Sequence, residues 1–322
     1  MQILLWSLVL IASVLAAHWG SDQLAEPLEK LRRQWGLSEA AGAALVALAT
    51  ASPEVGTNTA AAVRGLSDIG LGNLLGSNII SVPAIVIVAF LASRDKNKRK
   101  RQHYLEVKTE ALNVQAIPYI IIIGLAAILT LPAPWRGLQP IDGWIMLAAY
   151  FVYLAQAILR ERQEKKKVRW GKEEMIIAIA GAISLAVAAY FIVTATEKLV
   201  TLLDIPQIVG GLFITSTLSI APEVFATWKV AKSGQVTAAT TSVIADNTAT
   251  MTLALFPLAM VSLQIGDLSL FVVNLVFVAL LAVVYAALIR WGKYANSFEW
   301  WEVLLLLGIY LVYLALMVFV IL

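Results

Sequence analysis

Two apolar stretches of this chain each contain a proline followed directly by a glutamate, Pro53-Glu54 in the first and Pro222-Glu223 in the second. An ionisable side chain within hydrocarbon costs about 2.5–3.5 kcal/mol on insertion scales. A proline within a helix also removes one backbone hydrogen bond and frees the carbonyl four residues earlier. The same two costs occur in two matching segments. This is the pattern by which inverted-repeat transporters build an ion site near the membrane midplane.

The composition predicts a membrane protein. Of the 322 residues, 60% are hydrophobic and 14% are charged, whereas a soluble domain carries about 25% charged residues. Runs such as 117–131 and 303–322 approach or reach the ~20 apolar residues that cross a bilayer. The absence of cysteine excludes disulfides and thiol chemistry. We attribute the small excess of basic residues to membrane topology and not to nucleic-acid binding.

Ten apolar segments predict an all-α integral membrane protein with ten transmembrane helices. The first segment lacks the basic residues that open a secretory signal, so we expect it to be a retained span. The predicted spans are about 2–17, 37–63, 69–93, 113–132, 141–159, 174–195, 205–228, 236–263, 268–289 and 299–321.

The basic residues predict the orientation of these spans. Among the loops, those after odd-numbered spans carry every Lys and Arg except Arg64, Arg136 and Lys198. Because basic residues favour the cytoplasmic side, both termini are expected outside and the basic loops in the cytoplasm. The expected location is a prokaryotic plasma membrane.

The chain divides into two five-helix repeats of opposite orientation. We predict the first repeat over 1–159, a basic cytoplasmic linker over 160–173 and the second repeat over 174–322. Glu54 lies in the second span, and Glu223 lies in the second span of the second half. Five spans per half force the second half to enter the membrane from the opposite side, so the two glutamates are expected to approach each other at mid-depth.

Each half also carries a second polar motif in its next span. The first half reads Gly-Ser-Asn-Ile-Ile-Ser up to Ser81, and the second reads Thr-Ser-Val-Ile-Ala-Asp up to Asp246. The two motif regions therefore cover 45–85 and 212–251.

Polar residues spaced by four form short ladders in these motifs. Such pairs share one face of a helix and lie one turn apart. Hard cations prefer cages of carboxylate, hydroxyl and carbonyl oxygens, so we predict a cation site where the ladders converge. The two prolines should add the carbonyls of Ala49 and Leu218. The four ladders are Thr50/Glu54, Ser77/Ser81, Ser219/Glu223 and Ser242/Asp246.

Other polar residues of the spans have simpler interpretations. Gly72 and Gly76 predict a close helix contact. Asn73, Asn78 and Asn247 are interpreted as interhelical hydrogen-bond partners. His18 and His103 lie near a span end and in a basic loop, and we assign them no role.

The sequence does not favour an enzyme, because it has no HExxH motif, no cysteine, no histidine predicted at membrane depth and no second deep aspartate beside Asp246. A gated cation channel also uses acidic rings and stays open as an alternative. Broken helices within an inverted repeat favour alternating access instead.

The paired motifs resemble the α-repeats of the sodium/calcium exchanger family, within the cation/calcium antiporter superfamily. The resemblance covers nearly the whole chain and is most specific in the second, third, seventh and eighth spans. It implies exchange of calcium for sodium at a central cluster, with no cofactor. The residues that match the family's site are Glu54, Glu223, Asp246, Thr50, Ser219, Ser77, Ser242 and Ser81, with Ala47 and Ser216 at positions of carbonyl contacts.

Departures from the family's pattern concern sodium more than calcium. The usual element is GTSxPE, and here Ala51 and Ile220 replace its second hydroxyls, while Ser81 replaces an amide or acid. The counter-ion is therefore open between sodium, a proton, and sodium at reduced stoichiometry, and another divalent cation remains an alternative substrate. Expected partners are calcium, sodium or protons, and the lipid bilayer, with neither nucleic acid nor an obligate protein partner.

Overall fold

The structure, a computed structural model, describes residues 1–37, 39–94, 104–107, 112–132, 136–160, 168, 171–234, 236–292 and 297–321. It is almost entirely helical in these ranges. The basic residues 95–103 and, within the predicted linker over 160–173, residues 161–167 and 169–170 lie outside the described residues.

Twelve α-helices follow one another along the described chain, apart from a single turn at Gln207–Val209. They are α1 (Gln2–Trp35), α2 (Glu39–Thr50), α3 (Ser52–Val63), α4 (Ser67–Arg94), α5 (Ile117–Thr130), α6 (Pro140–Arg160), α7 (Lys172–Leu203), α8 (Ser216–Lys232), α9 (Val236–Ala249), α10 (Leu255–Met260), α11 (Leu268–Trp291) and α12 (Trp300–Leu316). Four π-helical segments adjoin them, at Leu112–Ala116, Gly210–Thr215, Thr250–Ala254 and Met317–Ile321.

Nine helical segments in the described ranges are long and apolar enough to cross a membrane. The predicted second span is the one that does not appear among them, because it is divided at Ala51 into α2 and α3. The chain is thus an integral membrane protein whose second apolar segment is a broken helix. This break lies two residues before Pro53, as the proline in the sequence predicts.

The predicted symmetry of the two breaks is only partial. Pro222 lies inside α8, which runs without interruption past Glu223. The irregular backbone of the second half comes earlier, in the π-helical segment Gly210–Thr215. The prediction of a matching break at Pro222 is therefore wrong. Pro222 lacks the N–H that would bond to the carbonyl of Leu218, but the helix continues on both sides of it.

Two helices are much longer than predicted. The apolar pattern ends near residue 17, but α1 continues through polar residues to Trp35 and ends where Gly36 adopts a left-handed conformation with φ 66°. Likewise α7 continues to Leu203 and ends at Asp204, with φ 54°. Apolar content marks the part of a helix that faces lipid, whereas the terminating residue marks where the helix stops.

These two long helices pack against each other along their lengths. Their crossing is close because a Cβ on Gly20 would lie 2.5 Å from the carbonyl oxygen of Gly181. Apolar side chains on either side of the crossing form a separate buried cluster that includes Leu10, Val14 and Ile192. Small residues at a helix crossing let backbones approach where the bilayer gives no hydrophobic drive for association.

The remaining core centres on α4 and on the segment from Val236 to Met260, which are the most buried of the candidate spans. The turn and the π-helical segment that precede α8 lie directly against α4. A Cβ on Gly72 would lie 2.2 Å from the carbonyl oxygen of Ile208, and one on Gly211 would lie 2.3 Å from that of Ile69. The predicted close helix contact at Gly72 is confirmed, and it joins the two motif-bearing halves of the chain.

Contacts between helix ends divide them into two sets. At one end, strand β1 (Tyr104–Glu106) pairs antiparallel with β2 (Ser297–Glu299), and Lys30 forms an ion pair with Glu174.

At the other end, Arg64 contacts Glu197 at 2.6 Å, and Gly137 pairs with Gln264. Each contact joins segments that the sequence places on the same side of the membrane.

Candidate cation site

The break between α2 and α3 positions Glu54. Proline suits the first turn of a helix because its missing N–H would be unpaired there in any case, and Pro53 occupies that position in α3. Glu54 follows in the same turn, where the helix dipole favours negative charge. Its side chain is 2% exposed, and its Oε2 has no hydrogen-bond partner among the described residues. A buried carboxylate oxygen in this state is a strong acceptor for a cation.

Asp246 lies opposite the break, on α9. Asp246 is 7% exposed, and its carboxylate lies near the side chain of Thr50 at the end of α2. Its Oδ1 has no partner in the described part of the chain. The predicted ladders on α2–α3 and α9 therefore meet, and each leaves one carboxylate oxygen available.

Glu223 completes the set of three acidic groups, although its environment differs from that of Glu54. It is only partly buried on α8, whereas Ser219 one turn earlier is buried. The charges of Glu54 and Asp246 both act on Glu223, and that of Asp246 acts on Glu54.

Within the described ranges, no three acidic or histidine groups are close enough to hold a metal ion as they stand. The three carboxylates are near neighbours but do not form a finished chelating cage.

The serines of the second motif differ in burial between the two halves of the chain, as Glu54 and Glu223 do. Ser77 is buried and donates to the carbonyl of Leu74 at 3.1 Å. Its counterpart Ser242 is exposed and donates to the carbonyl of Ala239 at 3.3 Å. The serine of the first half is thus buried and that of the second half is exposed.

Ser81, the fourth residue of its ladder, does not contact a carboxylate. Its hydroxyl donates to Oδ1 of Asn247 at 3.0 Å. Asn78 accepts from the Tyr119 hydroxyl at 2.8 Å. The interpretation of Asn78 and Asn247 as interhelical partners is confirmed, and the same interpretation fails for Asn73, whose side-chain nitrogen and oxygen both lack a partner within the described chain.

The two positions of expected carbonyl contacts are both buried. The carbonyl of Ala47 accepts from the backbone N–H of Ala51 at 3.0 Å and from the Thr50 hydroxyl at 3.4 Å. The hydroxyl of Ser216 donates to the carbonyl of Leu212. Both carbonyls flank the region of the carboxylates.

Helix α1 supplies two donors that the sequence analysis missed. The carbonyl of Ala49, freed by Pro53, accepts from the hydroxyls of Ser21 and Ser52, each at 2.6 Å. His18 donates from Nε2 to the carbonyl of Ser219 at 2.9 Å. The placement of His18 near a span end is therefore wrong, since α1 continues for 17 residues beyond it.

Comparisons with known proteins agree with this architecture. A family model described as sodium/calcium exchanger protein matches residues 5–159 and 174–319. An uncharacterized membrane protein of Methanocaldococcus jannaschii is 23% identical over 316 residues, which is 95% of either chain.

Two solved structures share the fold. One is the sodium-calcium exchanger NCX_Mj, with a TM-score of 0.64 and 20% identity over 97% of this chain and 99% of that one. The other is the H⁺/Ca²⁺ exchanger CAX, with a TM-score of 0.73 and 14% identity over 99% of this chain and 81% of that one.

Proposed function

Because the chain belongs to the sodium/calcium exchanger protein family, we propose that it exchanges calcium for sodium across a membrane by alternating access. Family membership makes the chain a cation/calcium antiporter of the membrane and not an enzyme. The finer assignment, sodium as counter-ion and calcium as the divalent substrate, is our proposal. The observation that carries it is the buried carboxylate of Glu54, whose Oε2 lacks a partner among the described residues and on which the charge of Asp246 acts.

Electrostatics supply the coupling. Up to three negative charges in a low-dielectric region must be neutralised before the loaded site can cross the membrane. One divalent ion or several monovalent ions satisfy this requirement, but both cannot occupy shared carboxylates together. Mutual exclusion at Glu54, Glu223 and Asp246 then produces exchange without a separate coupling device.

The proposed ligands come from both halves of the chain. They are the ten residues matched in the sequence, Glu54, Glu223, Asp246, Thr50, Ser219, Ser77, Ser242, Ser81, Ala47 and Ser216. Contact between Thr50 and Asp246 supports their convergence. Glu223, only partly buried, is the group we expect to move inward when an ion binds.

We also propose ten spans in two inverted repeats, over 1–159 and 174–322, with both termini outside. The two sets of helix-end contacts support this alternation. The basic loops would then lie in the cytoplasm of a prokaryotic cell.

A proton is the alternative counter-ion, and one observation favours it. Ala51 and Ile220 are both buried where the family's pattern has hydroxyls, so sodium loses two neutral ligands while the carboxylates that carry protons remain. The fold likeness to the H⁺/Ca²⁺ exchanger CAX is consistent with this alternative.

Proteoliposomes distinguish these possibilities. Vesicles loaded with sodium are expected to accumulate calcium against its gradient at equal pH on both sides. If a pH gradient drives uptake without sodium, and sodium adds nothing, the proton alternative replaces ours. Single-channel steps without uphill transport would instead indicate a channel.

A further inference from the structure

Several buried polar side chains outside the predicted ligand set have atoms without hydrogen-bond partners among the described residues, and three of them lie next to the predicted ladders. They are Asn58, Asn73 and Thr250, with exposed fractions of 0%, 0% and 1%. The unpartnered atoms are Oδ1 of Asn58, both side-chain polar atoms of Asn73 and Oγ1 of Thr250. An unsatisfied buried polar group costs about 1–3 kcal/mol, so three together call for an explanation.

Each of these residues extends a predicted ladder by one helical turn. Asn58 follows Glu54 by four residues, Thr250 follows Asp246 by four, and Asn73 precedes Ser77 by four. Residues four apart lie on the same face of a helix. The three side chains therefore continue the same faces that carry the carboxylates and Ser77.

The contacts of Asn58 show that the three extensions point toward one place. Its Nδ2 donates to the carbonyl of Ala254 at 2.9 Å, one turn beyond Thr250. Its Oδ1 lies 3.2 Å from the position that a Cβ on Gly70 would take, one turn before Asn73. Asn58 thus lies between the two helix faces that carry Asn73 and Thr250.

The register along these helices places Glu54 at the same level. Thr50 contacts Asp246, and Asn58, two turns further along, contacts Ala254, which is two turns beyond Asp246. Midway between these contacts, Glu54 lies level with Thr250. Glu54 thus adds a charged oxygen, Oε2, which also lacks a partner within the described residues, on the helix face that carries Asn58.

Neighbouring threonines show that the state of Thr250 is not a general property of α9. Thr248 donates to the carbonyl of Ile244, and Thr252 donates to that of Thr248, each at 2.7 Å. Such bonds to the residue's own helix are the usual state of a buried threonine. Thr250 begins the π-helical segment Thr250–Ala254, and such local widening is frequent at functional sites.

We propose that Asn58, Asn73 and Thr250, together with Glu54, form a subsite for a monovalent cation of sodium's character. Hard cations take amide, hydroxyl and carboxylate oxygens, and one carboxylate among neutral oxygens matches a single positive charge. At Ala51 this chain lacks a hydroxyl oxygen that the family's pattern provides. The subsite supplies neutral side-chain oxygens about one helical turn away from that position. This inference rests on the proposed function, because it names where that exchanger holds its counter-ion.

The test uses an isosteric pair of variants. Thr250→Val removes the unpartnered hydroxyl, whereas Thr252→Val removes a hydroxyl that is bonded to its own helix. Radioactive sodium binding is measured on the purified protein, and calcium affinity is measured in proteoliposomes from calcium/calcium exchange without sodium. Thr250→Val is expected to raise the half-saturating sodium concentration roughly fivefold or more, as for one lost polar ligand, with calcium affinity unchanged. Thr252→Val should change neither, and Asn73→Leu, if it folds, should resemble Thr250→Val.

Two outcomes overturn the subsite. Equal sodium binding in the two threonine variants would mean that these groups hold water only. A parallel loss of calcium and sodium affinity would place Thr250 in the calcium site.

The proposed function fails separately, if wild-type calcium uptake ignores a sodium gradient. In that case sodium binding that depends on Thr250 would leave the subsite standing without a role in coupling.

Discussion

Replacing Glu54 with glutamine is expected to abolish calcium transport without making the ion-free protein less stable. The carboxylate is buried and one of its oxygens has no partner in the described chain, so the neutral isostere removes an uncompensated charge. Two unit charges ~4 Å apart at an effective dielectric of 20 interact by about 4 kcal/mol. A divalent ion therefore loses about 8 kcal/mol of attraction, and a monovalent ion loses about half as much. Even after hydration offsets most of this loss, calcium affinity should fall by several orders of magnitude.

Thermal unfolding of the purified protein measures this effect without transport. Calcium should stabilise the wild type by about 2.7 kcal/mol at a concentration of a hundred times its Kd, and it should not stabilise Glu54→Gln. Uptake of radioactive calcium by proteoliposomes should be lost in parallel. Glu173→Gln, which changes an exposed carboxylate at the start of α7, is the control and should behave as wild type. Calcium flux at the wild-type rate in Glu54→Gln, or retained stabilisation by calcium, would refute the site.

Three further substitutions test the packing and the ligands. Ser21→Ala removes a buried hydrogen bond to the freed carbonyl and should lower the free energy of unfolding by about 1 kcal/mol, whereas Ser13→Ala, whose hydroxyl bonds to its own helix, should lower it less. Gly72→Ala places a Cβ 2.2 Å from a carbonyl oxygen and should cost about 1–3 kcal/mol or more in unfolding measurements. Gly124→Ala meets nothing within 4 Å and should be neutral or stabilising. Ser81→Asn should change apparent sodium affinity more than calcium affinity in uptake assays, and equal changes would contradict the sodium proposal.

The sequence predicted the membrane class and the position of the first break because both depend on local chemistry. Apolar run length decides whether a segment crosses a bilayer, and Pro53 decides where a helix is interrupted. The proximity of Thr50 and Asp246 could also be predicted from the sequence, because each residue belongs to a pair of polar residues spaced by four. These inferences needed only spacing along one helix at a time.

Other features depend on neighbouring helices and could not be read locally. Pro222 does not end α8, and the irregular backbone of the second half lies at Gly210–Thr215, which no proline marks in the sequence. Helix α1 reaches the site because its polar half remains helical, so Ser21 was missed. Asn73 and Asn78 have the same interpretation in the sequence, yet among the described residues Asn73 has no side-chain partner, whereas Asn78 accepts from Tyr119.

The two hydrogen bonds from α1 connect this helix thermodynamically to both halves of the chain. A carbonyl oxygen has two lone pairs, and that of Ala49 already accepts from two hydroxyls. An ion that binds the carbonyl oxygen of Ala49 must displace one of these two hydroxyl donors. In the same way, an ion that binds the carbonyl oxygen of Ser219 competes with His18. Linkage is reciprocal, so the factor by which an ion weakens the docking of α1 equals the factor by which docked α1 weakens that ion. Helix α1 therefore acts as a competing ligand of the site, although it contributes no charge to it.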